Sequence, residues 1–290
     1  MKHFQDGQYS TTDSCVAFGS FDGVHIGHRA VLEKLVELSD IRGLSPVVVS
    51  FDRDSSDAEQ ILTTEKEKCY LLRGLPIAAV VSVSAQPEDE TFFKEILKDK
   101  LGAKVVVVGK NYENSEILRE FGKINGIEVI ECEAAKDSGG PITSSRIKDA
   151  LQTGDMETAT RLMGHPFIVI GKVVPGKQLG RTVGQPTANI EYVNSKYLPL
   201  DGSYVSMTIM DEKRRVGTLN IGTRPSVDNY SYKTVENHII DFSGDLYGKE
   251  LIVEIHRFIR GVMKFNNLQE VRAQVLEDLR GMREYIDSLE

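Results

Sequence analysis

The apolar positions of the chain follow two rhythms, and the change comes near residue 165. From residue 14 to 164, short β-branched runs alternate with stretches whose apolar residues recur every three or four positions. Cys15–Phe18, Val47–Phe51, Ala78–Val83, Lys104–Val108 and Ile127–Glu131 read as strands; Ala30–Leu38, Thr64–Arg73, Glu90–Leu101 and Glu116–Asn125 read as helices. This alternation predicts a parallel sheet covered on both faces, an open doubly wound α/β domain. The unbroken valine run Val105–Val108 has the pattern of a strand buried on both sides.

From Phe167 onward, short alternating strands follow one another with turn residues between them: Phe167–Val174, Tyr204–Met210, Val216–Ile221, Val235–Phe242 and Leu251–Phe258. That pattern predicts an antiparallel sheet or barrel. Residues 267–289 close the chain as a helix with one apolar stripe, Leu268, Val271, Val275, Leu279, Met282, Ile286 and Leu289. The stripe reads as a core face against the barrel, and Asn267 with Glu270 has the spacing of a capping box. Residues 151–166 form a joint: a helix end, a Gly154-Asp155 turn, and a short helix stopped by Gly164 and Pro166. The expected domains are therefore 1–164 and 165–290.

Charge narrows the partners. The net charge is −8 and the isoelectric point about 5.4, whereas a general nucleic-acid binder is normally basic. Phosphate, if held, is held at a local site. No apolar run approaches the ~18 residues of a membrane span, and Met1–Gly7 has no apolar signal core, so a cytoplasmic chain is expected. Cys15, Cys69 and Cys132 sit in or beside apolar runs without metal-type spacing and read as buried thiols.

Candidate chemistry lies in three stretches. Val16–His28 is an apolar run that breaks at Gly19 into a tight polar turn, with His25 and His28 at the mouth of a helix. A strand that breaks into glycines before a helix presents backbone N–H groups to phosphate, and the histidines add side-chain donors. The second stretch, Gly139–Ile147, sets Thr143, Ser144 and Ser145 before a helix at Arg146–Leu151. Either one hydroxyl simply caps that helix, or Ser144, Ser145 and Arg146 hold a triphosphate. The third runs from Gly171 to Ile190. Gly176, Gly180 and Gly184 permit close backbone approach to a ligand, and Lys177 and Arg181 add charge. Thr187 and Asn189 share one strand face, and their oxygens suit Mg²⁺ alongside nucleotide phosphates.

The first half resembles the adenylyltransferase domain of the prokaryotic bifunctional riboflavin kinase/FAD synthetases. The pattern Gly-x-Phe-Asp-Gly-x-His-x-Gly-His is complete at residues 19–28, and Ile142–Arg146 is close to the second signature. Leu62-Thr63-Thr64 also fits. Two loops depart from the family: Asp52–Ser55 replaces a Pro-His-Pro turn, and Gly109–Ser115 is shortened, with Asn111 where the family carries Asp. The second half resembles riboflavin kinase throughout, in Pro186–Asn189, Asn220–Pro225, Glu236–Phe242, Asp245–Gly248, Arg260 and Lys264-Phe265.

The resemblance implies two reactions, ATP-dependent phosphorylation of riboflavin to FMN and adenylylation of FMN to FAD. It implies Glu236 as the kinase base, with Thr187 and Asn189 at Mg²⁺ and Gly176, Lys177, Gly180, Arg181, Gly184, Pro186 and Arg224 around the substrates. For adenylyl transfer it implies His25 and His28 as catalytic groups, with Gly19, Phe21, Asp22, Gly27, Asn111, Ser144, Ser145 and Arg146 at the nucleotide or flavin. The alternative, prompted by the altered loops, is a kinase whose first half is inactive, changed in substrate, or a regulatory flavin- or nucleotide-binding module.

Overall fold

The computed structural model describes residues 1–5, 8–51, 60–83, 90–176, 186–225 and 231–287. These form two compact units, Met1–Ser144 and Ser145–Glu290.

In the first unit, β1 (Lys2–Gln5), β2 (Ser14–Gly19), β3 (Ser45–Phe51), β4 (Ala79–Val83), β5 (Ala103–Gly109) and β6 (Glu128–Cys132) make one sheet in the order β1-β4-β3-β2-β5-β6. Every neighbouring pair is parallel. The helices are α1 (Ile26–Arg42), α2 (Glu65–Leu72), α3 (Glu90–Phe92, continuing as a π-helical stretch Phe93–Lys100) and α4 (Ser115–Asn125). Alternate residues of the central strands feed opposite cores, as a period of two requires. Val16, Phe18, Val47, Val49, Val106 and Val108 pack with Phe93, Leu97 and Leu118 on one face. Cys15, Ala17, Val48, Val105 and Val107 pack with Leu32, Leu35 and Leu72 on the other. The doubly wound reading of the sequence holds.

The chain leaves β2 toward β3 and β4 on one side, and later fills β5 and β6 on the other. The strand order therefore reverses between β2 and β5, and a crevice opens beyond their carboxyl ends. Under that end lies a buried polar web. Lys68 on α2 pairs with Glu65 and also reaches Ser50 Oγ at 3.0 Å and the Phe51 carbonyl at 3.3 Å. Ser82 Oγ donates to Glu65 Oε2 at 2.6 Å and meets His3 Nε2 at 2.7 Å, so four elements share one network. A buried ion pair of this kind fixes geometry more than it adds stability.

A small hairpin, β7 (Lys136–Asp137) with β8 (Gly140–Pro141), precedes α5 (Ser144–Thr153). α5 starts two residues earlier than the sequence suggested, which sets Thr143 at the cap position and puts Ser144 and Ser145 in the first turn.

The second unit carries α6 (Met156–Met163) and a closed antiparallel barrel of β9 (Phe167–Val174), β10 (Ala188–Ile190), β11 (Gly202–Met210), β12 (Lys213–Pro225), β13 (Ser231–Ile239) and β14 (Glu250–Gly261). The terminal helix α7 (Leu268–Asp287) packs on β11, β12 and β14. Its cap differs in one bond from the expected box. Asn267 Oδ1 accepts from the Gln269 and Glu270 amides at 3.0 Å, while Glu270 Oε2 accepts from the Asn266 amide at 2.9 Å instead of the cap residue's own. Arg260 on β14 clamps α7 by two bonds to Asp278, at 2.8 and 2.7 Å. Of the cysteines, Cys15 is buried, whereas Cys69 and Cys132 are half-buried; all three are free thiols. Among the described residues no helix is long and apolar enough to cross a membrane.

Candidate active sites

In the first unit a cavity of about 350 Å³ occupies the crevice between β2 and β5. Gly19, Phe21, His25, Gly27, His28, Asn111 and Ser144, all named from the sequence, line it. His25 is the N-cap of α1: its Nδ1 accepts from the His28 backbone N–H at 3.3 Å. An accepting Nδ1 leaves the proton of neutral His25 on Nε2, so the cap fixes the tautomer. The two imidazoles stack with centroids 3.6 Å apart and planes 17° off parallel. A Cβ at Gly27 would stand 3.0 Å from His25 Cε1, so any larger residue would press on this ring by a few tenths of an ångström. Burial first, then the neighbouring His25 and Lys68, hold the His28 imidazole well below the usual histidine range. A neutral His28 ring beside a cavity gains its proton most easily when a polyanion arrives.

The opposite wall is aromatic. Phe18 meets Phe51 edge-on at 4.9 Å and Tyr112 at 5.6 Å, and all three line the cavity. Lys110 pairs with Glu133 at 2.6 Å at the rim.

Two expected ligands are turned elsewhere. Asp22 is 8% exposed, and its Oδ1 accepts from the Thr63 N–H at 2.9 Å. Ser144 Oγ donates to the Asp22 carbonyl at 3.0 Å. Ser145 and Arg146 lie on α5, beyond the end of the first unit. Of the two departing loops, Asp52–Ser55 lies outside the described residues.

In the second unit the site is laid out by strand register. Arg260 pairs with Ser203, Ser203 with Asn220, Asn220 with Glu236, and Glu236 with Asn189, so five polar side chains form one row across β14, β11, β12, β13 and β10. Residues directly opposite in an antiparallel pair have Cβ atoms roughly 5 Å apart. Ser203 Oγ donates to Asn220 Oδ1 at 2.6 Å. Ser203, Asn220, Glu236 and Arg260 line a cavity of about 350 Å³ that Val262, Met263, Phe265, Val271 and Val275 also line, whereas Asn189 lines a separate cavity of about 390 Å³ with Gly176 and Tyr192. A polar edge with an apolar far wall suits a flat heteroaromatic ring with a hydroxylated tail. Sequence reasoning missed Ser203 and Asn220 as members of this row. Asn220 stood inside a quoted motif, but its neighbour across the strands is set by register alone.

Thr187 precedes β10 and lines a second cavity, of about 400 Å³, with Pro186, Phe242, Asp245 and Tyr247. The Pro186 carbonyl is tied to β13 through His238 Nδ1 at 2.9 Å. Gly176 passes against Asn189 so closely that a Cβ would fall 2.1 Å from Nδ2. Lys177, Gly180, Arg181 and Gly184 lie outside the described residues, as does the side chain of Arg224, whose backbone pairs with Tyr232.

The donor set fits Mg²⁺. A hydroxyl and an amide oxygen are hard ligands, and this ion keeps waters and substrate phosphates as its remaining ligands. Among the described residues no three His, Cys, Asp or Glu side chains converge as a metal cluster, so a site made wholly of such ligands is not what these residues offer.

Comparison with known proteins decides the family. A riboflavin kinase family model matches residues 163–286 and an FAD synthetase model matches residues 8–146. The bifunctional riboflavin kinase/FMN adenylyltransferase of Escherichia coli K12 is 32% identical over 94% of this chain and 93% of its own length. The chain belongs to the bifunctional riboflavin kinase/FMN adenylyltransferase family. The Pseudomonas fluorescens member is 30% identical over 93% of this chain and 92% of its own. A crystal structure described as a macrolide-efflux protein from Streptococcus pneumoniae shares the fold, with a TM-score of 0.82 and 26% identity, covering 95% of this chain and 96% of that one. As a riboflavin kinase/FMN adenylyltransferase, the chain is both a phosphotransferase and a nucleotidyltransferase of flavin cofactor biosynthesis, using ATP and Mg²⁺ and yielding FMN and FAD.

Proposed function

We propose that the barrel unit transfers the γ-phosphoryl group of ATP to the ribityl 5′-hydroxyl of riboflavin, and that the α/β unit joins the resulting FMN to an adenylyl group. The observation that carries the kinase assignment is the register of Glu236 between Asn189 and Asn220. Glu236 takes the hydroxyl proton as the oxygen attacks the γ-phosphorus and the bond to ADP breaks; a carboxylate within hydrogen-bond reach is competent for this. Thr187 and Asn189 would hold Mg²⁺, which neutralises phosphate charge when bound with the nucleotide. The Gly176 backbone runs close against the Asn189 side chain.

For adenylyl transfer, a phosphate oxygen of FMN attacks the α-phosphorus and pyrophosphate leaves. His25 and His28 supply donors where charge grows on the α-phosphate oxygens, worth on the order of 10²–10³ each in rate. On the family matches, residues 1–164 are assigned to adenylyl transfer and 165–290 to the kinase. The acidic net charge and the helix inventory fit a cytoplasmic enzyme acting on small molecules, with neither nucleic acid nor a membrane as partner. A chain with an inactive first half is not favoured, because the family matches span both halves.

Purified protein incubated with riboflavin, ATP and Mg²⁺, with the flavins resolved by chromatography, tests both assignments. FMN should appear first and FAD after it. Accumulation of FMN with no FAD would remove the adenylyltransferase, and no turnover would remove both.

A further inference from the structure

The loop that carries the histidines is bent into conformations its side chains resist. Phe21 has φ 48°, Gly23 φ 83° and Val24 φ 40°. Glycine takes the left-handed region freely, but a bulky or β-branched residue does so only when its surroundings over-determine it. What over-determines it here is Thr63, which lies about forty residues away in sequence, just before α2. Its N–H donates to Asp22 Oδ1 at 2.9 Å and its hydroxyl to the same oxygen at 3.4 Å, while its Oγ1 accepts from the Gly23 N–H at 2.8 Å. Thr63 is 2% exposed and Asp22 8%, so water does not compete for these bonds. Ser144 holds the Asp22 carbonyl from a third side.

We propose that Thr63 is a positioning residue for adenylyl transfer, its amide and hydroxyl holding Phe21–Val24 in the strained shape that delivers His25 to the cap of α1 and the histidine pair to the cavity. The proposal rests on the reading of this cavity as the adenylyltransferase site. It also reassigns Asp22 and Ser144, whose polar groups serve the loop, not a ligand. A displacement of about 1 Å in a catalytic group can lower a rate on the order of 10²-fold.

Thr63→Val keeps the shape and the amide bond but leaves the buried Gly23 N–H without its acceptor; Thr63→Ser keeps all three bonds. In the full chain, Thr63→Val should lower kcat for FMN to FAD about 100-fold with little change in KM for ATP or FMN. Riboflavin phosphorylation should be unchanged, which reports that the barrel unit is folded, while the retained KM values report that the parallel unit is; Thr63→Ser should behave as wild type. Amide hydrogen exchange over residues 21–25 should quicken in Thr63→Val alone. If that variant does not fold, Asp22→Asn, which keeps the oxygen and removes the charge, should lose about tenfold in kcat by the same route. Unchanged exchange in Thr63→Val, an unchanged kcat, or Thr63→Ser as slow as Thr63→Val would overturn the proposal. If the wild-type chain makes no FAD, the functional reading fails, and the exchange measurement still decides the clamp.

Discussion

The two units place their proposed site groups by opposite means. In the barrel, Asn189, Glu236, Asn220, Ser203 and Arg260 are neighbours because antiparallel pairing sets them side by side, and each stands on a strand. In the parallel unit the strands end before the chemistry begins. His25 and His28 hang on a strained loop and the first turn of α1, held by groups from other loops. A site built on register is stiff and is damaged chiefly by changes within it. A site built beyond strand ends is only as stiff as the contacts that hold its loops, so distant substitutions should reach it.

The largest effects should come from the reacting groups, and they test whether the sites are separate. Glu236→Gln should lower riboflavin phosphorylation by about 10²–10⁴ while FMN-to-FAD conversion continues. His28→Ala should do the reverse, by about 10²–10³. Separate assays with riboflavin and with FMN as substrate measure both. Loss of both activities from either change would end the comparison of two independent sites.

Next in size is the clamp on α7. Arg260 and Asp278 are largely buried, and Arg260 belongs to the polar row, so stability and site geometry meet in one ion pair. Arg260→Gln leaves the Asp278 carboxylate without its guanidinium and should cost about 3 kcal/mol in the unfolding of the barrel unit. Urea unfolding of the variant measures this. A loss confined to kinase turnover, with stability intact, would mean that the row does not depend on α7.

How much of this was legible follows from what each feature depends on. The unbroken valine run Val105–Val108 specifies a strand buried on both faces whatever its partners, and the spacing of His25 and His28 at a helix mouth points to the proposed phosphate site. The strand β1 escaped notice because Lys2-His3-Phe4-Gln5 is a largely exposed edge with no apolar alternation, and it becomes a strand only by pairing with β4. Glu65 and Lys68 stand on a helix rich in charged residues, yet both are buried, because they satisfy each other and the ends of β3 and β4. Thr187 and Asn189 could be put on one face by period alone. The pairing of Asn189 with Glu236, and of Glu236 with Asn220, could not be read so, because register between distant strands is a tertiary property. The role of Thr63 was hidden for the same reason: its partners are about forty residues away.

Gly176 offers a gentler test of the register-built site. A methyl group there would fall on the Asn189 side-chain amide, so either that amide or the backbone at 176 must shift. Gly176→Ala should lower kinase kcat/KM about tenfold, with no effect on FAD formation from FMN, since one misplaced group costs this much or more. An unchanged kinase would show that Asn189 is not held by this contact.

The smallest effect concerns acid. Folding holds the His28 imidazole well below its ordinary value of 6.5, chiefly by burial. Below pH 6.5 the unfolded chain therefore binds a proton that the native chain refuses, and stability must fall as pH falls. The slope from one such group is at most about 1.4 kcal/mol per pH unit. Between pH 7 and pH 5.5, the urea midpoint of the parallel unit should drop more in wild type than in His28→Gln, which has no proton to refuse. ATP should shrink the wild-type loss, because a bound polyphosphate favours the protonated ring and so returns to the native state the proton that burial excludes. Equal acid slopes in wild type and His28→Gln would place the acid sensitivity of this unit elsewhere, and with it the claim that the loop presents a desolvated histidine to the nucleotide.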